Sequence, residues 1–162
     1  MLLAVDPSIN DMGLCLLDDA GRYLSSLHLA APRSKGILAS TRLEFLAGRT
    51  LDFVLSRKGE ISEVVIEHSR FFSRSQLSSH ASAQKLNLAK GMAYGICRAH
   101  LDCPVHLAWI PGFSKQNALL LARTFILPGK LSQHEIDAFW LGNTWVTTHP
   151  VMRAAFTQFK DT

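Results

Sequence analysis

The sequence predicts an α/β fold with five strands, the first three antiparallel, and helices packed against them. Three observations predict it. The chain opens with two apolar runs, Leu2-Leu3-Ala4-Val5 and Gly13-Leu14-Cys15-Leu16-Leu17, joined by a short turn in the manner of a β-hairpin. Between Ser34 and Leu55 the apolar period becomes helical. A β-branched run, Val64-Val65-Ile66, then closes on Glu67, repeating the arrangement in which an apolar run closes on Asp6.

Taken in order, the first strand ends at Asp6-Pro7-Ser8, where an isolated Asp before Pro ordinarily serves only to order a turn. Asp18-Asp19-Ala20-Gly21 makes the next turn, and Tyr23 to Ala30 forms a third strand. Short connections make these three strands antiparallel neighbours. In the first helix Leu43, Leu46, Ala47, Thr50, Leu51, Val54 and Leu55 share a face, leaving Arg42, Arg49, Arg57 and Lys58 largely off it as a solvated basic side. Gly59-Glu60 ends the helix and Val64 to Glu67 is the fourth strand. If it lies parallel beside the first, Asp6 and Glu67 meet at the sheet edge where open α/β sheets bind ligands.

The loop His68-Ser69-Arg70-Phe71-Phe72-Ser73-Arg74-Ser75 sets two phenylalanines among arginines. They either tuck under the loop or offer a stacking surface, and the arginines favour a nucleic-acid ligand. A helix from about Ala81 to His100 carries Leu86, Ala89, Ala93 and Ile96, with Gly91 and Gly95 placed for close approach of another backbone. Pro104 to Ile110 is the fifth strand. Ser114 caps a helix running to about Phe125, with Lys115 in its first turn against the helix dipole. Ser132 and Glu135 fit a capping box that opens the last helix, on which His134 and Asp137 share a face.

Composition narrows the function classes. With 162 residues the length fits a single domain spanning the whole chain, and a hydrophobic share of 48% is globular. No apolar run has the length of a membrane span, and the start has no signal-peptide pattern, so a soluble intracellular protein is expected. Three cysteines, none in a CxxC pair, read as buried thiols in a reducing compartment. The net charge of +4 raises the odds of a DNA or RNA partner only modestly, although Arg70, Arg74, Lys85 and Lys90 cluster after Glu67.

Asp6, Glu67, His134 and Asp137 come from two strand ends and one helix start, which such a sheet can bring together. Carboxylates crowded within about 4–6 Å repel unless a cation sits among them. Mostly oxygen ligands suit Mg²⁺ or Mn²⁺, the imidazole being better tolerated by Mn²⁺. Two such ions support phosphodiester cleavage.

These residues carry a family resemblance. Val5-Asp6-Pro7 with Gly13, Val65-Ile66-Glu67 followed by Phe71-Phe72-Ser73-Arg74, and His134-Glu135-Ile136-Asp137-Ala138 resemble, in order, the RuvC family of Holliday junction resolvases. The resemblance ends near Leu141. It implies an RNase H-like fold with a mixed five-stranded sheet, and a homodimer that cuts two strands of a four-way DNA junction. Divalent-metal hydrolysis would leave 5′-phosphate ends, without a small-molecule cofactor. By the same resemblance Asp6, Glu67, His134 and Asp137 are the catalytic metal ligands for two ions per site. Lys115 matches a lysine that stabilises charge on the phosphate, and Phe71 or Phe72 an aromatic that stacks near the crossover. Arg70, Arg74 and Lys85 join Phe71, Phe72 and Lys115 as the expected DNA contacts. Ser8 stands where the family usually has Gly, and no residue is assigned to the family's second lysine.

The alternatives keep the same scaffold. One is a nuclease of forks, flaps or RNA–DNA hybrids that debranches DNA generally, and another is a non-catalytic junction-binding domain. A sugar-kinase-like or actin-like ATPase also starts with Asp after an apolar strand, but it needs phosphate-cradling glycines and a second lobe that this chain lacks. The expected location is cytoplasmic, with the nucleoid or viral DNA.

Overall fold

The computed structural model describes residues 1–34, 36–68, 79–108, 127 and 129–148, with side chains throughout except at 79–83. Strands β1 (Leu2–Pro7), β2 (Asp11–Leu17) and β3 (Tyr23–Ala30) precede helix α1 (Ala39–Ser56) and strand β4 (Glu63–Glu67). Helix α2 (Ser79–His100), strand β5 (Val105–Ala108) and helix α3 (Gln133–Thr148) complete the described elements. The sheet order is β3-β2-β1-β4-β5, with β1, β2 and β3 antiparallel and β4 and β5 parallel to β1 and to each other. The first three strands are antiparallel as the sequence predicts, and the sheet is the mixed five-stranded one that the resemblance implies.

Alternation along the strands divides the core into two layers. Leu3, Val5, Leu14, Leu16, Val64 and Ile66 face α1 and α2, where Leu46, Val54, Ala93 and Cys97 pack on them. Leu2, Ala4, Cys15, Leu17 and Val65 face α3, which supplies Ala138, Phe139, Leu141 and Trp145. Because helices cover both sides, β1 and β2 are buried at every position. Asp6 and Glu67 continue the α3-facing rows of β1 and β4 at the carboxyl ends of these strands. The register pairs Val5 with Ile66, so the two carboxylates follow it side by side.

Several local expectations need correcting. Helix α1 starts at Ala39 rather than Ser34, because Gly36 takes φ 88 and Leu38 stays extended. Leu55 lies on the exposed side while Phe53 packs on the core. Arg42 is half-buried rather than solvated. Gly91 and Gly95 face open space: a Cβ at either would meet nothing within 4 Å, so no backbone packs there among the described residues. Close approach occurs instead at Gly13 and Gly142. A Cβ on Gly142 would lie 2.5 Å from Leu17 Cδ1 and 2.9 Å from Ala4 Cβ, so this glycine lets α3 settle on the sheet.

Cys15, Cys97 and Cys103 are buried thiols, as expected. Burial, then the neighbouring Cys103, pushes the Cys97 thiol up to about 12. Among the described residues no helix is long and apolar enough to cross a membrane. The helix expected from Ser114 to Phe125 and the last two residues of the fifth strand, Trp109 and Ile110, lie outside the described residues.

Candidate active site

Gly13 is the residue on which the site is built. It pairs with Asp6 on one side and with His28 on the other, so the three occupy one row across β1, β2 and β3. A Cβ on Gly13 would sit 1.9 Å from the carbonyl oxygen of His134. Only glycine lets the first turn of α3 rest on β2 at this point. The capping box forms as predicted: Ser132 N donates to Glu135 Oε2 at 2.8 Å and Glu135 N donates to Ser132 Oγ at 3.2 Å. Glu135 also accepts from Ser26 Oγ of β3 at 2.6 Å, tying the helix start to the sheet. Burial works against its charge, but the hydrogen bonds from Ser26 and Ser132 outweigh burial and hold the carboxyl below its ordinary range.

So anchored, α3 brings His134 Nδ1 within 2.6 Å of Asp6 Oδ2. The imidazole stacks on that of His28, with centroids 6.1 Å apart and planes 16° from parallel. The hydrogen bond to Asp6 raises the His134 pKa; burial opposes it, and the charges of Asp6, Asp11 and Asp137 add to it. Asp11, buried behind this pair, accepts from Arg33 Nη2 at 2.5 Å and lies 3.1 Å from His28 Nε2. Asp137, one turn along from His134, accepts from Gln133 Nε2 at 2.7 Å.

Glu67 completes the cluster. Burial, a hydrogen bond with Asp6 and the charge of Asp6 push its carboxyl up to about 8, and Asp137 adds to the effect. Lys90 of α2 counters it. This lysine is only 5% exposed, and burial lowers its pKa while Glu67 and Asp6 raise it. Lys90 is not among the site residues that the sequence predicts. A signal was present, since Leu86, Ala89, Lys90, Ala93 and Cys97 follow the helical period of one apolar face. His28 and Asp11 carry no such mark, because their roles depend on strand register, and that of Arg42 depends on how α1 packs beside the β1–β2 turn.

The structure therefore brings Asp6, Glu67, His134 and Asp137 into one electrostatically linked group at the carboxyl ends of β1 and β4. Lys85 is exposed on α2 and lines a cleft of about 820 Å³ that also reaches Asp6 and Glu67. Arg70, Phe71, Phe72, Arg74 and Lys115 lie outside the described residues. Among the described residues no three His, Cys, Asp or Glu side chains are already set to enclose a metal ion. The charge of the donor set fits a divalent cation nonetheless: carboxylates crowded enough to hold a proton at Glu67 to about pH 8 are short of positive charge.

This fold defines an RNase H-like α/β protein with an acidic cluster at the sheet edge. More narrowly, the fold is RuvC-like. The chain superposes on Thermus thermophilus RuvC in complex with Holliday junction substrate with a TM-score of 0.70 and 19% identity, covering 93% of this chain and 94% of that one. A second structure of Thermus thermophilus RuvC gives a TM-score of 0.64 at 19% identity, covering 88% and 91% of the two chains. No protein-family model matches the sequence. Nor does any curated protein.

Proposed function

We propose that this protein is a structure-selective endodeoxyribonuclease that resolves four-way DNA junctions. It would act as a homodimer, each 162-residue chain being one nuclease domain, and leave 5′-phosphate ends. The observation that carries this reading is the convergence of Asp6, Glu67, His134 and Asp137 at the carboxyl ends of two parallel strands. The likeness to a RuvC bound to a Holliday junction supports the choice of substrate. An intracellular location with DNA follows from that substrate.

In this reading Asp6, Glu67, His134 and Asp137 hold Mg²⁺ or Mn²⁺, two ions per site. When bound, these ions supply an activated water and charge stabilisation for phosphodiester hydrolysis. The chain's own residues prepare the site. Asp6 holds the imidazole of His134 at Nδ1 and leaves Nε2 as the ring nitrogen for a ligand. The stacked His28 fixes the ring plane. Lys90 is buried beside Glu67 and Asp6, whose charges favour its ammonium form against the cost of burial. Arg70, Arg74, Phe71 and Phe72 supply phosphate contacts and base stacking near the crossover, while Lys115 stabilises charge on the reacting phosphate.

Cleavage of a synthetic immobile four-way junction in Mg²⁺ and in Mn²⁺, against a linear duplex and a three-way fork of matched sequence, tests the proposal. Paired symmetric nicks on the junction alone are expected. Equal cutting of all branched substrates would overturn resolution in favour of general debranching, and tight binding without cutting would favour a non-catalytic module.

A further inference from the structure

The cleft at the acidic cluster runs from Asp6 and Glu67, past the β1–β2 turn, to Arg42 on α1 and Lys85 on α2. Its two ends therefore carry opposite charge. Arg42 is held by a neutral partner: Nη1 donates to Asn10 Oδ1 at 2.7 Å, and Asn10 N in turn donates to Ser8 Oγ at 3.4 Å. Asp11, next in sequence to Asn10, does not line the cleft and is engaged by Arg33 and His28. Among the described residues Arg42 forms no ion pair, and its Nε is buried without a hydrogen-bond partner. No acidic side chain stands in the first turn of α1, which forms this wall of the cleft. A guanidinium has five N–H donors in a rigid fork matched to phosphate oxygens. A half-buried guanidinium that lines a cleft and is held by a neutral partner rather than a carboxylate is suited to an anion.

We infer that Arg42 binds a backbone phosphate of the DNA strand beside the one presented to Asp6 and Glu67, with Lys85 holding the same strand at the lip of the cleft. The inference rests on the proposed function for the identity of the anion. Asn10 sets the fork, and its lack of charge leaves the whole positive charge of Arg42 to the phosphate. Strand passage through the cleft then places successive phosphates first against cationic and then against acidic groups, which fixes the register of cutting.

The salt dependence of junction binding in EDTA, where no cutting occurs, tests this. Each lost phosphate contact lowers the slope of log K against log [NaCl] by about 0.9 per chain. Arg42→Gln and, separately, Lys85→Gln are each expected to lower it by that amount, whereas Arg42→Lys keeps the slope and weakens binding by losing the fork. An Arg42→Gln protein that melts like wild type and keeps the wild-type slope overturns the inference, even if its affinity falls, because a brace of the β1–β2 turn would behave that way. If Arg42→Gln does not fold, exposed Lys85 decides: an unchanged slope in Lys85→Gln removes the strand from the cleft. Wild-type protein that cuts no junction, with both slopes lowered, would defeat the resolvase reading and leave the cleft as a strand path. Cutting with unchanged slopes would defeat the cleft alone.

Discussion

A carboxyl buried beside a second carboxyl keeps its proton to a higher pH than one in water, and that proton becomes a stability term. Glu67 is raised from 4.5 to about 8, so between these values the folded chain holds a proton that the unfolded chain has released. Its contribution to stability is complete below about pH 4.5 and is lost as pH rises through about 8. His134 acts in the same direction, being raised by Asp6: its stabilisation is full below 6.5 and disappears as pH climbs through the folded value. The melting temperature in EDTA should therefore fall as pH rises from about 5 to 8.5, and Glu67→Gln should flatten that slope. A wild-type slope in Glu67→Gln would place the titration elsewhere. For the chemistry itself, Asp6→Asn should retain junction binding and lose at least about 100-fold in cutting rate, more than loss of an outer partner of a ligand costs. Wild-type cutting by the purified variant would remove Asp6 from the site.

At the scale of elements, the position of α3 on β2 decides whether the cluster assembles. Gly13→Ala forces a Cβ into the backbone of His134, which cannot yield as a flexible side chain can. The expected cost is about 3 kcal/mol or more, with loss of the His134 to Asp6 contact, read by chemical denaturation and by the His134 imidazole titration in NMR. An unchanged denaturation midpoint would mean that α3 sits further from the sheet. At the far end of the same helix Trp145 Nε1 donates to buried Glu63 Oε1 at 2.9 Å, with His106 Nε2 3.5 Å from that oxygen. Trp145→Phe should cost about 1–3 kcal/mol by removing this donor, and a loss within experimental error would show that Glu63 is satisfied without it. The capping box is the one part of this helix–sheet joint that could be read beforehand, since its partners are three residues apart. The second bond of Glu135, to Ser26, joins residues 109 apart in sequence and left no local trace.

On the scale of the whole molecule, a divalent ion that binds only the folded chain stabilises it by mass action. Mg²⁺ or Mn²⁺ at about 100 times its dissociation constant should add about 2.7 kcal/mol and reverse the fall of melting temperature with pH. A melting temperature indifferent to both ions at pH 8 would argue against a metal centre. What the sequence by itself determined were the features whose cause is local. Apolar alternation and short turns marked β1 to β3, the helical period marked α1 and α2, the hydroxyl and carboxylate of a cap opened α3, and two strands ending in acids located Asp6 and Glu67. Tertiary structure decided what these features meet. It placed Lys90 against the carboxylates, His28 against His134 and Arg42 in the cleft, and left Gly91 and Gly95 facing open space while Gly13 and Gly142 took the close approaches. The physical reason is range: periodicity and capping act within a few residues, whereas burial, charge and hydrogen-bond partners at this site depend on strand register and on which face of each helix lies against the sheet.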